Sequence, residues 1–182
     1  MRLIGILSLV ATVVAGAAKA EAPPVLGMQL GKPLALPQCE HDVIVAAVCQ
    51  RTDLPGPDAG VWWIRVPIGG TTPGFIQAPD AGCVGVKDGV VNEIVLWTSG
   101  VDGQDQALEL LSEKFGKPTS LTRRSVQNRM GAKFEAIAAF WARPGYEITL
   151  DGVGHDLDGG TVTIETDDHF KQRMASLPKP SL

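Results

Sequence analysis

Two segments near the end of the chain alternate apolar and polar residues with a period of two. They cover residues 146–151 and 160–166, and Pro144-Gly145 forms a turn before the first of them. Because successive side chains of a strand point to opposite faces, each segment is predicted to be a strand with one buried and one wet face. The apolar side is formed by Tyr146, Ile148, Leu150, Val162, Ile164 and Thr166, and the wet side by Glu147, Thr149, Asp151, Thr163, Glu165 and Asp167. Antiparallel sheets commonly present such faces, so the pattern favours an antiparallel sheet.

A helix is predicted over residues 103–115. Its apolar residues lie on one face at helical spacing: Ala107, Leu108, Leu111 and Phe115. Asp102 is suited to cap the first turn, and Gly116 followed by Pro118 ends the helix. This amphipathic segment is expected to pack its apolar face against the sheet.

The dipeptide Asp88-Gly89 separates two apolar runs at 83–87 and 90–98. Both residues of this dipeptide tolerate positive φ, so the sequence predicts a hairpin with a tight primed turn. Further strands are predicted at 61–67, 119–128 and 133–142, and a short closing helix is predicted at 168–177.

These elements indicate an α+β fold in which one well-defined helix packs on antiparallel sheet. We expect a single globular domain over residues 21–177 and a disordered tail at 178–182. Gly-Lys-Pro occurs at both 31–33 and 116–118, which suggests two halves, 21–100 and 101–177, that each place a helix before several strands. Chance repetition of a tripeptide explains the match equally well.

The first twenty residues have the order of parts found in a secretory signal peptide. Arg2 is followed by an uncharged apolar run to Ala18, and Ala18-Lys19-Ala20 is a small-x-small cleavage site. The run is shorter than the ~20 residues that a membrane-spanning helix needs. We therefore expect cleavage near Ala20 and a soluble periplasmic or secreted protein. No cysteine stands at the cleavage point, so a lipid anchor is not expected.

The charge of the exported chain argues against non-specific nucleic-acid binding. Loss of Arg2 and Lys19 leaves 14 basic and 20 acidic residues, a net charge of −6, whereas such binding needs a basic surface. No later segment is long and apolar enough to span a bilayer, so no transmembrane segment is expected in the mature chain.

Three cysteines, at 39, 49 and 83, would enter an oxidising compartment, where disulfides form. We predict a bridge between Cys39 and Cys49, because the short loop between them closes at low entropic cost. Cys83 then remains unpaired. A bridge from either partner to Cys83 is the alternative that spacing leaves open.

No known catalytic or cofactor-binding motif is present. The chain lacks a Gly-x-Ser-x-Gly elbow, a dinucleotide fingerprint and zinc-type Cys–His spacing. The stretch 151–160 is rich in Asp and Gly but lacks the ligand spacing of a calcium loop, and a strand connection explains it. We therefore predict no catalytic residue, no cofactor and no metal site.

The tryptophans give the one residue-level prediction of a functional surface. In a strand, Trp62 joins Ile64 and Val66 on a core face, which places Trp63 on the other face. A further candidate core face, formed by Phe134, Ala136, Ala138 and Phe140, leaves Ile137 and Trp141 on the opposite side. An interface is thus predicted from Trp63, Trp97, Ile137 and Trp141, since Trp is favoured at binding hot spots. A second layer that covers these residues, formed by 21–60, is the alternative.

The stretch Leu110–Pro118 ends a helix with Phe-Gly-Lys-Pro and opens a run of strands. This joint resembles that of small bacterial envelope proteins of the BamE and β-lactamase-inhibitor-protein type. The resemblance covers about a third of the chain, and the acylated cysteine of BamE-type lipoproteins is missing. It implies a non-enzymatic, protein-binding role and carries over no functional residue.

Three functions follow as hypotheses. The first is a non-catalytic module that binds another envelope or secreted protein, as an accessory, inhibitor or immunity-type protein. The second is a small hydrolase with an unrecognised Cys, His and acid set. The third is a small-ligand carrier in which Trp63, Trp97 and Trp141 line a pocket. The sequence names no partner, and the oligomeric state is open.

Overall fold

The computed structural model describes residues 21–40, 45–51, 60–70 and 72–177. The predicted signal peptide at 1–20 and the predicted tail at 178–182 lie outside the described residues. Within the described part, no helix is long and apolar enough to cross a membrane.

The described residues form eight strands and two α-helices. The strands are β1 (Cys49–Gln50), β2 (Val61–Arg65), β3 (Asp80–Lys87), β4 (Val90–Thr98), β5 (Ser120–Gln127), β6 (Lys133–Arg143), β7 (Tyr146–Asp151) and β8 (Gly160–Thr166). The helices are α1 (Gln104–Phe115) and α2 (Asp167–Ser176), and a 3-10 turn (Gly100–Asp102) precedes α1. The predicted helix at 103–115, the Asp88-Gly89 hairpin and the strands that follow are confirmed.

All eight strands join one antiparallel sheet in the order β1-β2-β3-β4-β8-β7-β6-β5. Strands β1 to β4 form one meander and β5 to β8 form another, and the two meet where β4 pairs with β8. The α+β interpretation holds at this level. The predicted fold class has one well-defined helix, which does not match the structure, because α2 is a second helix at the place of the predicted short closing helix, 168–177.

The N-terminal segment differs from the helix expected at the start of a first half. Val25 and Met28 exchange backbone hydrogen bonds of 2.8 and 2.9 Å, which closes a two-residue turn. Leu26 and Gly27 occupy that turn with φ of 50° and 80°, values that belong to a left-handed turn and not to an α-helix. No helix occurs within 21–40, 45–51 or 60–70.

The strand register gives the sheet two unlike faces. Residues paired across the sheet point to the same side, so a continuous row can be followed from strand to strand. One row consists of Ile64, Gly82, Leu96, Val162, Leu150 and Ala139. Every member of this row is buried. We call this side the packed face and the other side the open face.

Helix α1 covers the packed face and is attached to β6 at both ends. Near its start, the buried Gln104 side chain accepts from Ile137 N at 2.8 Å and donates to Glu135 O at 2.7 Å. Beyond its end, Trp141 Nε1 donates to Gly116 O at 2.7 Å. Arg143 donates to the Phe115 carbonyl that α1 itself leaves unpaired.

The apolar residues of α1 complete the core. Ala107, Leu111 and Phe115 join the same cluster as Leu96 and Ile164 of the sheet. The N-terminal segment and the loop before β3 add further buried residues, among them Met28, Leu30, Phe75 and Ile76. The core therefore lies between one sheet face and a layer built from α1 and two loop segments.

We expect Leu111→Ala to lower the free energy of unfolding by about 2–5 kcal/mol, because it opens a cavity between α1 and the sheet. Leu111 is only 6% exposed. The exposed Glu109→Ala on the same helix is the matched control and should change stability by less than about 0.5 kcal/mol. Urea unfolding measures both, and equal effects would show that the buried face of α1 is wrongly assigned.

Candidate interaction surface

The open face presents a row of side chains that crosses seven neighbouring strands. Its members, from β2 to β5, are Trp63, Cys83, Val95, Thr163, Thr149, Phe140 and Ser120. The first six are half-buried and Ser120 is exposed. No member of this row carries a formal charge, so the centre of the open face is a neutral surface of aromatic, aliphatic and hydroxyl groups.

A second row lies beside the first, one residue pair further along the strands. It consists of Trp97, Thr161, Asp151, Ala138 and Thr122. Trp97 contacts Trp63 of the first row with ring centroids 5.3 Å apart and planes inclined by 54°. Such tilted aromatic pairs are favourable beyond the area they bury. The two indoles thus form a rigid apolar patch on the β2–β4 side of the open face.

A third row contains three glutamates on adjacent strands. Glu93 pairs with Glu165, and Glu165 pairs with Glu147, so three carboxylates stand side by side on β4, β8 and β7. Like charges placed directly opposite one another destabilise a sheet unless cations compensate them. Glu165, in the middle, is only 1% exposed.

Helix α2 supplies the compensating groups. Arg173 donates to both carboxylate oxygens of Glu165, with Nε 3.2 Å from Oε2. His169 Nε2 lies 3.6 Å from Glu93 and 3.9 Å from Glu165, and its Nδ1 lies 2.8 Å from the Asn92 amide nitrogen. Phe170 packs on Phe140 at a centroid distance of 5.8 Å. Charged and aromatic contacts together hold α2 over the third row.

The pKa values of the outer glutamates reflect this crowding. Burial raises the pKa of Glu93 above its ordinary value, and the nearby Glu165 carboxylate raises it further, while His169 and Arg173 oppose the shift. Burial also raises the pKa of Glu147, and the carboxylates of Asp167 and Glu165 add to the effect. Oε2 of Glu147 and Oδ1 of Asp167 are buried without a hydrogen-bond partner. Negative charge is thus in local excess at the start of α2.

Glu93, Glu165 and His169 are the described residues whose donor atoms come close enough to hold a metal ion, all within 4.8 Å of one another. Both oxygens of Glu165 already accept from Arg173. A cation bound there would lie against a guanidinium, which it would repel. The arrangement is explained by an ion-pair network that fastens α2 to the sheet.

Cys83 is a free thiol in the first row of the open face. Burial raises its pKa to about 11, and the Glu93 carboxylate adds to that rise. At neutral pH the sulfur is therefore protonated, and a protonated thiol is a poor nucleophile. Among the described residues, no histidine hydrogen-bonds to Cys83. The predicted disulfide is confirmed, with Cys39 and Cys49 joined and their Cα atoms 5.0 Å apart.

The four predicted interface residues fall on opposite sides of the sheet. Trp63 and Trp97 lie on the open face and contact each other. Trp141 and Ile137 lie on the packed face, with exposed fractions of 0% and 1%. The expectation that these two face outward is wrong. Strand β6 carries apolar residues on both sides, so its period alone did not identify which side meets α1.

The alternation pattern does not reveal the residues that hold α2. Alternation with Ile164 predicts a wet face for Glu165, but α2 covers this side chain. The available signal was spacing: His169 and Arg173 stand four residues apart, which places them on the same side of a helix that starts at Asp167. Both contact Glu165 near the end of β8.

Comparison with family models, with curated proteins and with solved structures found no match for this chain. The resemblance to BamE-type and β-lactamase-inhibitor-type envelope proteins therefore stays a prediction.

We expect Glu147→Gln to raise stability at pH 8, by less than about 1 kcal/mol because the group is partly hydrated. A carboxyl whose folded pKa is raised binds its proton more tightly in the folded protein. Its contribution to folding stability is present below the ordinary carboxyl pKa and is lost as pH rises through the pKa of the folded protein. Glu147→Gln has no carboxyl at this position and does not lose this stability, so its stability advantage over wild type should shrink as pH falls towards 4.

Urea unfolding at several pH values measures the effect, with the exposed Glu109→Gln as the matched control. A pH dependence identical in wild type and Glu147→Gln would contradict the crowding described at the start of α2.

Proposed function

We propose that this chain is an exported, non-catalytic protein-binding module whose open face binds another envelope or secreted protein. The observation that carries the proposal is the half-buried Trp63–Trp97 pair on a sheet face whose other central residues are neutral except for Asp151. Aromatic residues are enriched at protein interfaces, and Trp dominates their hot spots.

The contrast between the faces supports this proposal. On the packed face, the row through Ile64 and Leu96 is buried by α1 and the N-terminal segment. On the open face, α2 is fastened over the glutamate row, while the rows through Val95 and Trp97 stay half-buried. Two tryptophans that keep water contact in this way leave apolar surface for a partner to bury.

The state of Cys83 argues against the hydrolase alternative. A nucleophilic cysteine needs a lowered thiol pKa and a base within hydrogen-bond reach. Burial instead raises the pKa of Cys83, and His169 faces Glu93 and Glu165. Cys83, His169 and Glu93 lie on the same face of the sheet, but His169 contacts the glutamates and not the thiol, so the three residues do not form a catalytic triad.

Export is proposed from the apolar leader and is supported by the disulfide between Cys39 and Cys49. Such bridges persist in oxidising compartments and are rare in the cytosol. The export proposal therefore places the partner in the periplasm or outside the cell.

The chemistry of the open face indicates the kind of partner. Its two central rows contain tryptophan, valine, phenylalanine and threonine, and Asp151 is their only acid. A complementary surface would present apolar groups and neutral hydrogen-bonding groups. Affinity should then change little with salt, because screening acts on charge pairs.

Trp63→Ala should weaken binding of the natural partner by about 30-fold or more, the effect of a 2 kcal/mol hot spot. The matched control is Trp62→Ala, because Trp62 is adjacent, 38% exposed and directed to the other side of the strand. Tagged wild type and both variants would be used to capture partners from a periplasmic extract, with thermal melts to check folding. Affinity for each protein that only wild type and Trp62→Ala retain would then be measured by surface plasmon resonance.

A photo-crosslinking amino acid at Thr161 would locate the contact directly. The proposal expects crosslinks to the same protein from this site and none from the same group placed at Glu109. Equal loss of binding in Trp62→Ala and Trp63→Ala, or crosslinks only from Glu109, would contradict the open face as the binding surface.

A further inference from the structure

A cavity of about 410 Å³ lies under α1, on the packed side of the sheet. Leu96 and Ile164 of the sheet form its floor, and Leu110 and Phe115 of α1 form part of one wall. The cavity is open to solvent on one side, as small-molecule sites of about 300–1,000 Å³ commonly are. The volume therefore belongs to the range of ligand sites.

The cavity reaches the surface at a strained turn. Val25 and Leu26 line it and are half-buried, as is Leu110 of α1. Leu26 has a φ of 50°, a conformation rare for residues other than Gly, Asn and Asp. A turn that holds an apolar side chain in a strained conformation, at the lip of an apolar cavity, is typical of a functional constraint.

The wall is apolar except at two adjacent positions of α1. Its polar residues are Glu113 and Lys114, both exposed. Lys114 Nζ donates to Pro24 O at 2.6 Å, next to the strained turn, and within the described residues it forms no ion pair. In the part of the chain that the structure describes, the hydrogen bond of this ammonium group goes to a neutral carbonyl and not to the adjacent Glu113 carboxylate, which also lines the cavity.

We propose that this cavity binds one aliphatic chain of an amphiphile whose anionic head group pairs with Lys114. The buried wall offers no hydrogen-bonding side chain, so the enclosed part of the ligand must be apolar. The Lys114 ammonium, which is not ion-paired with Glu113, provides the partner for an anionic head group. A free fatty acid and the acyl chain of an anionic lysophospholipid share this chemistry.

The site is separate from the proposed protein-binding surface. It lies on the packed side of the sheet, whereas Trp63 and Trp97 lie on the open face. Trp63→Ala should therefore bind the amphiphile like wild type. Failure of either proposal leaves the other standing.

Isothermal titration calorimetry of residues 21–182 with octanoate, decanoate and dodecanoate tests the proposal. Affinity should rise by up to about fourfold for each added methylene, the ratio that corresponds to about 0.8 kcal/mol per buried CH₂. Dodecanol should bind more weakly than dodecanoate. A lysophosphatidylglycerol with the same chain distinguishes the two sources: tighter binding than dodecanoate indicates the lipid, and weaker binding indicates the free acid.

Leu110→Trp should fill the opening and weaken dodecanoate binding by more than about tenfold. Leu108→Trp is the matched control, because Leu108 is equally half-buried on α1 but does not line the cavity.

Lys114→Gln should weaken dodecanoate binding by about two- to fivefold and leave dodecanol binding unchanged, as expected for a solvent-exposed ion pair. Lys117→Gln, beyond the end of α1, should alter neither.

Three results would each overturn the proposal. The first is no heat of binding for dodecanoate up to about 1 mM, the weak end of measurable affinity. The second is an affinity that does not change with chain length. The third is unchanged dodecanoate binding by Lys114→Gln; this surface variant and the chain-length series keep the test valid even if Leu110→Trp does not fold.

Discussion

The attachment of α1 to β6 is the interaction on which the rest of the structure depends. Near the start of the helix, the Gln104 side-chain amide donates to the Glu135 carbonyl and accepts from the Ile137 backbone N–H, two groups that would otherwise pair with a neighbouring strand. Gly152 permits this approach, because a Cβ there would collide with the Gln104 side-chain oxygen. At the other end, Arg143 satisfies carbonyls that the helix leaves open. A helix held at both ends can cover only one side of the sheet, so it decides which side becomes the core.

The two faces then diverge in chemistry. The covered side collects aliphatic residues and Trp141, and the uncovered side keeps threonines, Cys83 and the Trp63–Trp97 pair. Helix α2 does not bury a second core: none of its residues is buried. It is held instead by Arg173 and His169 against a line of glutamates. The open face is therefore divided into an ionic part under α2 and a neutral part that meets solvent, and this division makes the neutral part the candidate binding surface.

The elements of this fold were accessible from the sequence where local signals were strong. Asp88-Gly89 fixed a hairpin, and Gly116 with Pro118 fixed the end of α1, because turn conformations depend on a few residues. The start of α1 was less accessible: Asp102 lies in a 3-10 turn, and no side chain caps the helix. The face of β6 could not be assigned, because Trp141 and Phe140 are apolar neighbours and only α1 and α2 determine which of them enters the core. The burial of Glu165 depends in the same way on Arg173, a tertiary partner that no alternation pattern reveals.

Hydroxyl-radical footprinting of the isolated protein, read by mass spectrometry at each tryptophan, tests the two-faced sheet most directly. Oxidation should be fastest at Trp62, which is 38% exposed, intermediate at Trp63 and Trp97, and slowest at Trp141, which is 0% exposed. Because the four tryptophans are compared within one molecule, all of them receive the same radical dose. Oxidation of Trp141 at the rate of Trp62, or protection of Trp63 and Trp97 to the level of Trp141, would contradict the assignment of the packed and open faces.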